Sequence, residues 1–285
     1  MSVTVRELLR AGTERLRRVV NDNPALAAEY MLRHILKLRK IDLYLEPQRS
    51  VGASQEADFW SLVNRKLNRE PLQHILGETE WFGLRLKCDR RALVPRPETE
   101  ILTERAIELL RELEAPLIAD IGTGTGCIAI ALATNLPQAR VVATDASEVV
   151  LSLAEENLEL HELQSQATLR RGDLYQSLLP EETFDLIISN PPYIRASEYS
   201  GLMPEVKDFE PPQALLAGED GLSALQPLIE QAPQHLKDGG YLILEFGIDH
   251  AEPVSEIALQ TQAYSEPEII IDYDSQPRGV VLQTV

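Results

Sequence analysis

Apolar residues fall at helical spacing from the start of the chain to about residue 70. Val5, Leu8, Leu9, Leu16, Val19 and Val20 mark one face, and Thr4 with Glu7 has the spacing of a capping box at its start. Asn23-Pro24 sets an N-cap followed by proline at the first helical position, and Ala28, Met31, Leu32 and Ile35 continue that second helix. Ser54 opens a third, carrying Phe59, Trp60, Val63 and Leu67. No polar cluster in this segment has the look of a catalytic site. Residues 1–70 therefore read as a small helical bundle, serving either recognition or as a structural cap on the next domain.

From Pro71 to Pro97 the period shortens. Leu84–Cys88 and Ala92–Val94 are strand-like runs broken by Gly77, Gly83, Pro95 and Pro97, which predicts a hairpin linker over 71–97. A helix follows from Glu98 to about Glu114, with Ile101, Leu102, Ala106, Leu109 and Leu110 inward. Beyond it, strand-like runs at Leu117–Ile121, Val141–Thr144, Thr168–Arg171, Phe184–Ser189 and Tyr241–Phe246 alternate with helical patterns at Cys127–Asn135, Glu148–Leu160 and Ser223–Leu236. Such alternation predicts an open parallel α/β sheet covered on both faces. Glu268–Asp272 and Gly279–Thr284, around a turn at Ser275–Arg278, predict an antiparallel pair closing it. Residues 98–285 thus form one domain with a mostly parallel seven-stranded sheet.

The composition is that of a globular chain, 44% hydrophobic and 25% charged over 285 residues. No apolar stretch has the length of a membrane span, and the N-terminus lacks a signal-peptide core, so the cytoplasm is the expected location. Cys88 and Cys127 make neither a disulfide framework nor a zinc site, and no metal is expected. The net charge of −18 argues against direct nucleic-acid binding and for a protein or small-molecule substrate, although Arg15–Arg18 and Arg33–Lys40 are locally basic. An acidic surface also simply aids solubility.

Chemistry first shows in Asp120-Ile121-Gly122-Thr123-Gly124-Thr125-Gly126, directly after the first core strand. Glycines there allow a tight turn and close approach of a ligand to backbone N–H groups at a helix start. A dinucleotide fingerprint needs its third glycine at position 127, where this chain has cysteine. Asp120 repels a pyrophosphate but suits a ligand carrying an ammonium and a sulfonium. Asp145 ends the second strand, where a carboxylate accepts from ribose hydroxyls. Asp173 ends the third, with reach for an adenine amine. Each acid alone reads better as a helix or turn cap; together at the carboxyl ends of three strands they predict one crevice. An adenosine bearing an amino acid and no phosphate fits it, which is S-adenosylmethionine, leaving S-adenosylhomocysteine as product. The D-x-G-x-G-x-G pattern resembles motif I of the class I methyltransferases.

The fourth strand ends in Asn190-Pro191-Pro192-Tyr193. This matches the N-P-P-Y motif of methyltransferases that act on a nitrogen attached to a planar group. Such a nitrogen is a poor nucleophile because its lone pair is delocalised. The Asn190 carbonyl and the backbone carbonyl of Pro191 can accept its N–H bonds and favour the charge that develops on transfer. Proline stiffness holds these acceptors, and the Tyr193 ring offers the planar group a face.

Adenine N6, guanine N2 and a glutamine amide all satisfy that logic. Further segments narrow the choice: Arg69–Gly83 (REPLQHILGETEWFG), Leu93–Glu100 (LVPRPETE), Phe209–Leu222 (FEPPQALLAGEDGL) and Gln276–Val281 (QPRGVV). With the two motifs they resemble, over essentially the full length, the HemK/PrmC-type protein-glutamine N-methyltransferases. That family modifies the Gly-Gly-Gln glutamine of peptide chain release factors in translation termination. The resemblance implies a class I methyltransferase fold, residues 1–70 as a release-factor recognition domain, and the release factor as partner. It implies that Gly122, Thr123, Gly124, Thr125 and Gly126 hold the methionine part, Asp145 the ribose, and Asp173 and Leu174 the adenine. Some relatives carry tryptophan where this chain has Leu174. Asn190 then contacts cofactor and substrate, while Pro191, Pro192 and Tyr193 frame the amide. Arg96, Glu98 and Glu100 can shape the substrate entrance, but proline-flanked charges are also common helix starts. The competing readings are a methyltransferase acting on adenine or guanine of RNA or DNA, a non-catalytic nucleotide-binding scaffold, and a dehydrogenase.

Overall fold

A computed structural model describes residues 3–20 and 23–285. The chain forms two units: one holds the chain up to Glu78 together with Met203–Phe209, the other Thr79–Leu202 with Glu210–Val285.

In the helical unit, α1 (Val5–Leu16) opens on the expected capping box. Thr4 Oγ1 accepts from the Glu7 amide at 3.3 Å, and Glu7 Oε2 accepts from the Thr4 amide at 2.8 Å. The Asn23 side chain caps α2 (Pro24–Leu36) at 3.1 Å. After the short α3 (Lys40–Leu45) comes α4 (Ala53–Leu67), which starts one residue before Ser54, with Gly52 as its cap. A five-residue α5 (Leu72–Leu76) follows. Neither α3 nor α5 shows a period in the sequence, since they bury one and two residues respectively. Leu8, Leu16, Met31, Leu32, Phe59 and Val63 make the core, each buried side chain contributing roughly 1.5–3 kcal/mol. Gly12 lets α1 lie against the Phe59 ring, where a Cβ would collide. Glu205 is held by Lys66 at 3.2 Å and Arg69 at 2.6 Å.

The sheet unit begins with a hairpin of β1 (Glu78–Trp81) and β2 (Leu84–Lys87). Phe82 and Gly83 both take positive φ, +52° and +70°, as a two-residue primed turn requires. The expected strand at Ala92–Val94 does not form. Leu84–Lys87 pairs back on Glu78–Trp81 instead, and Ala92–Val94 leads irregularly into Pro95 and Pro97, which lack ladder donors. Helix α6 (Pro97–Leu110) has proline in its first turn and buries Leu102, Ala106 and Leu110.

The main sheet has seven strands in the order β5 (Ala167–Arg171), β4 (Arg140–Asp145), β3 (Leu117–Ile121), β6 (Phe184–Ser189), β7 (Leu236–Glu245), β9 (Pro277–Gln283), β8 (Glu268–Ile271). The first five are parallel; β9 runs antiparallel to both neighbours. Alternate residues face opposite cores. Ile118, Val141, Leu186, Ile188 and Ile243 pack with α6 and α7 (Cys127–Asn135); Ala119, Ile121, Val142, Ile187 and Leu244 pack with α9 (Leu225–Gln231) and α10 (Ala251–Thr261). Helix α8 (Glu148–Leu160) lies between β4 and β5 in the chain.

Two expectations change here. The helix at Ser223–Leu236 is shorter: α9 ends at Gln231, a 3₁₀ turn spans Ala232–Gln234, and Leu236 already belongs to β7. Pro233 cannot donate within a continuing helix. The unexpected helix α10 buries only Val254 and Ala258 within its span, and Pro253 sits in its first turn, where a missing N–H costs little. Its amphipathic signal is therefore weak. Among the described residues, no helix is long and apolar enough to cross a membrane.

Candidate active site

The chain leaves β3, pairs β4 and β5 on one side, then returns to pair β6 on the other. A crevice opens at the carboxyl ends of strands where the order reverses in this way. Ile121 lies opposite Ser189 across the β3–β6 pair, and Ser189 Oγ donates to the Ile121 carbonyl at 2.6 Å. The glycine loop and the Asn190 segment therefore leave the sheet side by side. Between them is a cavity of about 550 Å³.

Gly122, Thr123, Gly124, Thr125, Asp145, Asp173, Leu174, Asn190, Pro191 and Pro192 all line it. Gly126 does not; it caps α7 behind the loop. Gly122 and Gly124 have φ of +72° and +57°, and a Cβ on either would meet nothing within 4 Å. Their conformation excludes most side chains, and the space in front of them is open. Thr123 ties the loop down: its amide donates to the Thr144 carbonyl at 2.8 Å and its hydroxyl to Asp120 Oδ2 at 2.6 Å.

Asp120 departs from the expectation of a ligand-facing acid. It is fully buried and does not line the cavity. Its Oδ2 also accepts from the Ala129 amide at 3.2 Å, so it braces the start of α7. Burial pushes its carboxyl up to about 7, against the lowering effect of these hydrogen bonds. Asp145 accepts one backbone N–H on each oxygen, from Ser147 at 3.0 Å and Gly124 at 3.2 Å. Each oxygen keeps a lone pair, and burial raises its pKa. Asp173 is exposed, and its side chain does not cap the turn after it. Leu174 holds φ +47°, an uncommon conformation for a branched side chain.

At the other end, Asn190 Nδ2 donates to Thr99 Oγ1 at 3.0 Å, and Thr99 Oγ1 donates to Glu245 Oε2 at 2.5 Å. Glu245 Oε1 accepts from the Tyr193 hydroxyl at 3.3 Å. Tyr193 does not line the cavity: its ring packs against the core on the α9 and α10 side of the sheet, 6.5 Å from the His250 ring, and its hydroxyl is engaged by the carboxylate. Glu245 is buried at the end of β7, and burial lifts its carboxyl to about 7. Arg96 lines the cavity and pairs with buried Glu210 at 2.6 Å. Glu100 accepts from the Phe82 amide at 2.8 Å, stabilising the hairpin turn, and neither it nor Glu98 lines the cavity.

The PrmC N-terminal domain family matches residues 7–77, and the methyltransferase small domain family matches residues 99–203. The release factor glutamine methyltransferase of Deinococcus radiodurans is 42% identical over 276 residues, covering 97% of this chain and 97% of that protein. The chain belongs to the release factor glutamine methyltransferase family. The protein of the same name from Rhodopirellula baltica is 37% identical, covering 98% of this chain and 96% of its own. A solved methyltransferase from Pyrococcus furiosus shares the fold, with TM-score 0.52 and 20% identity over 77% of this chain and 98% of that one.

Residue patterns do not point to Thr99, Glu245, Asn157 or Glu210 in this family member. Asn157 is buried on α8, donates to the Thr125 carbonyl at 2.9 Å and accepts from the Lys87 amide at 2.6 Å, tying the glycine loop to β2. Thr99 and Glu210 lie in segments that stand out, P-R-P-E-T-E and F-E-P-P-Q, but nothing in either singles out the residue itself, and Glu245 and Asn157 lie in no such segment.

Proposed function

We propose that this chain methylates the side-chain amide nitrogen of the glutamine in the Gly-Gly-Gln motif of peptide chain release factors, using S-adenosylmethionine. The observation that carries the reading is the joint placement, in one cavity, of an open glycine cradle with two acids and the Asn190-Pro191 acceptor pair. Membership of the family supplies the substrate.

The residues present fit the cofactor. Gly122, Thr123, Gly124 and Thr125 hold its methionine part, with Gly126 shaping the turn behind them, Asp145 holds the ribose through its remaining lone pairs, and Asp173 with Leu174 the adenine. When bound, the cofactor supplies an electrophilic methyl group on a sulfonium. The Asn190 side-chain carbonyl and the Pro191 carbonyl accept the N–H bonds of the target amide and fix its direction. These acceptors count most as positive charge grows on the nitrogen. Pro192 stiffens the segment, and Tyr193 supports it from behind rather than through its face. The helical unit, with residues 1–70, holds the body of the release factor while its glutamine reaches the cavity. A substrate of the translation apparatus places the enzyme in the cytoplasm.

Incubating the protein with methyl-labelled cofactor, an unmodified release factor and total RNA tests the reading. Label is expected in the release factor. Label in RNA alone, or in neither, contradicts it.

A further inference from the structure

Thr99 lines the cavity and Glu245 is buried behind it, and the chemistry of the glycine-loop and N-P-P-Y motifs reaches neither. Both oxygens of Glu245 face hydroxyl donors, Thr99 on one side and Tyr193 on the other. A carboxylate has no proton to give, so it requires both hydroxyls to donate. Thr99 has one proton, and it is committed to Glu245. Toward Asn190 the same oxygen offers only lone pairs, which accept from Nδ2 at 3.0 Å. Turning the Asn190 amide over would set Oδ1 against an oxygen with no proton to offer.

We propose that Thr99 and Glu245 are positioning residues: a one-way hydrogen-bond chain from the Glu245 carboxylate fixes the Asn190 amide with its carbonyl oxygen free for the substrate. This deepens the proposed function and rests on Asn190 acting as an acceptor there. The fold holds both ends of the chain rigidly. Thr99 lies in the first turn of α6, set by Pro97, and its carbonyl accepts from Thr103 Oγ1 at 3.0 Å. Glu245 pairs with Gly279 in the β7–β9 ladder.

The polarity of the chain depends on the ionisation of Glu245. A protonated Glu245 can donate to Thr99, which can then donate to Asn190, presenting an NH₂ group to the substrate in place of an acceptor. Burial and Glu98 on α6 favour the protonated form; the Thr99 and Tyr193 hydroxyls and Arg278 on β9 oppose it. Cys127 on α7 also lies within the field of this carboxylate. Turnover should therefore fall with decreasing pH as Glu245 takes up its proton.

The test uses the full chain, S-adenosylmethionine and an intact release factor. Thr99→Val, which keeps the shape and removes the hydroxyl, should lower kcat at least tenfold while cofactor affinity by calorimetry stays within threefold. Thr99→Ser should keep at least a third of wild-type kcat. A smaller loss in Thr99→Val, a larger change in its cofactor affinity, or Thr99→Ser as impaired as Thr99→Val overturns the proposal. Glu245→Gln provides a second readout should Thr99→Val not fold. Its amide oxygen can still accept from Thr99 but cannot titrate, so the acidic fall in wild-type kcat should vanish. An unchanged acidic fall in that variant overturns the proposal as well. Wild-type protein that never methylates the glutamine removes the underlying reading; wild-type turnover matched by Thr99→Val removes only the positioning role.

Discussion

At the glycine-loop end of the cavity the loop backbone is held by Thr123 and Asp120 within it, by Thr144 and Asp145 of the adjacent strand, and by Asn157 on α8. At the Asn190 end it is a relay of side chains from α6, the segment after β6, and the end of β7. Thr99 and Glu245 are separated by 146 residues. The first end leaves open space in front of Gly122 and Gly124. The second orients one amide, and the orientation holds only while each hydrogen bond keeps its direction. Substitutions at the two ends should therefore separate binding from turnover.

The largest effect is expected for Asn190→Ala. Removing an acceptor aimed at developing charge typically costs about 10²–10³ in kcat, while cofactor affinity should stay within threefold. Pre-steady-state kinetics with calorimetry check both, and a kcat loss under tenfold contradicts the acceptor role.

The pH dependence comes next. Glu245 is lifted to about 7 by burial, and the ionised form gives the working orientation. Saturated kcat should thus rise with pH and level off above 7, with a loss on the order of a hundredfold by pH 5. Stability carries the opposite sign. A folded-state pKa above the unfolded value contributes stability present below about 4.5 and lost as pH rises through about 7. Thermal melting of wild type and Glu245→Gln between pH 5 and 8 should show the variant with the flatter profile. A melting profile unaltered by the substitution contradicts the burial argument.

On the cofactor side, Asp145→Ala should weaken S-adenosylmethionine binding by roughly 1.5–3 kcal/mol, the worth of hydrogen bonds to a charged group. Saturated kcat should stay within a few-fold. Calorimetry showing unchanged affinity means Asp145 serves only the Gly124 and Ser147 amides. Gly122→Ala should act least. Its Cβ meets no protein atom within 4 Å, so its cost in stability is that of a left-handed conformation, about 1–2 kcal/mol. A melting temperature equal to wild type contradicts the strain argument.

The same contrast explains what could be read from residues alone. The helices Cys127–Asn135 and Glu148–Leu160 and the strands Leu117–Ile121 and Phe184–Ser189 have the expected limits because period and punctuation agree there. The glycine loop and Asn190 are local motifs whose chemistry travels with a few adjacent residues. Thr99 and Glu245 are legible only once α6 and β7 are placed beside β6, since a threonine in a helical first turn and a glutamate ending a strand carry no signal alone. Asp120 shows the reverse error: its position beside a glycine loop suggested a ligand, whereas Thr123 and Ala129 take up one of its oxygens in the interior. Tyr193 follows the same rule, its hydroxyl directed to Glu245 by a strand 52 residues away.

Tandem mass spectrometry of a release factor, after incubation with S-adenosylmethionine and either wild-type protein or Asn190→Ala, tests the central claim most directly. The account predicts one added methyl group on the side chain of the Gly-Gly-Gln glutamine with wild type, and almost none over the same interval with the variant. A methyl group on any other residue, or equal modification by both proteins, would contradict it.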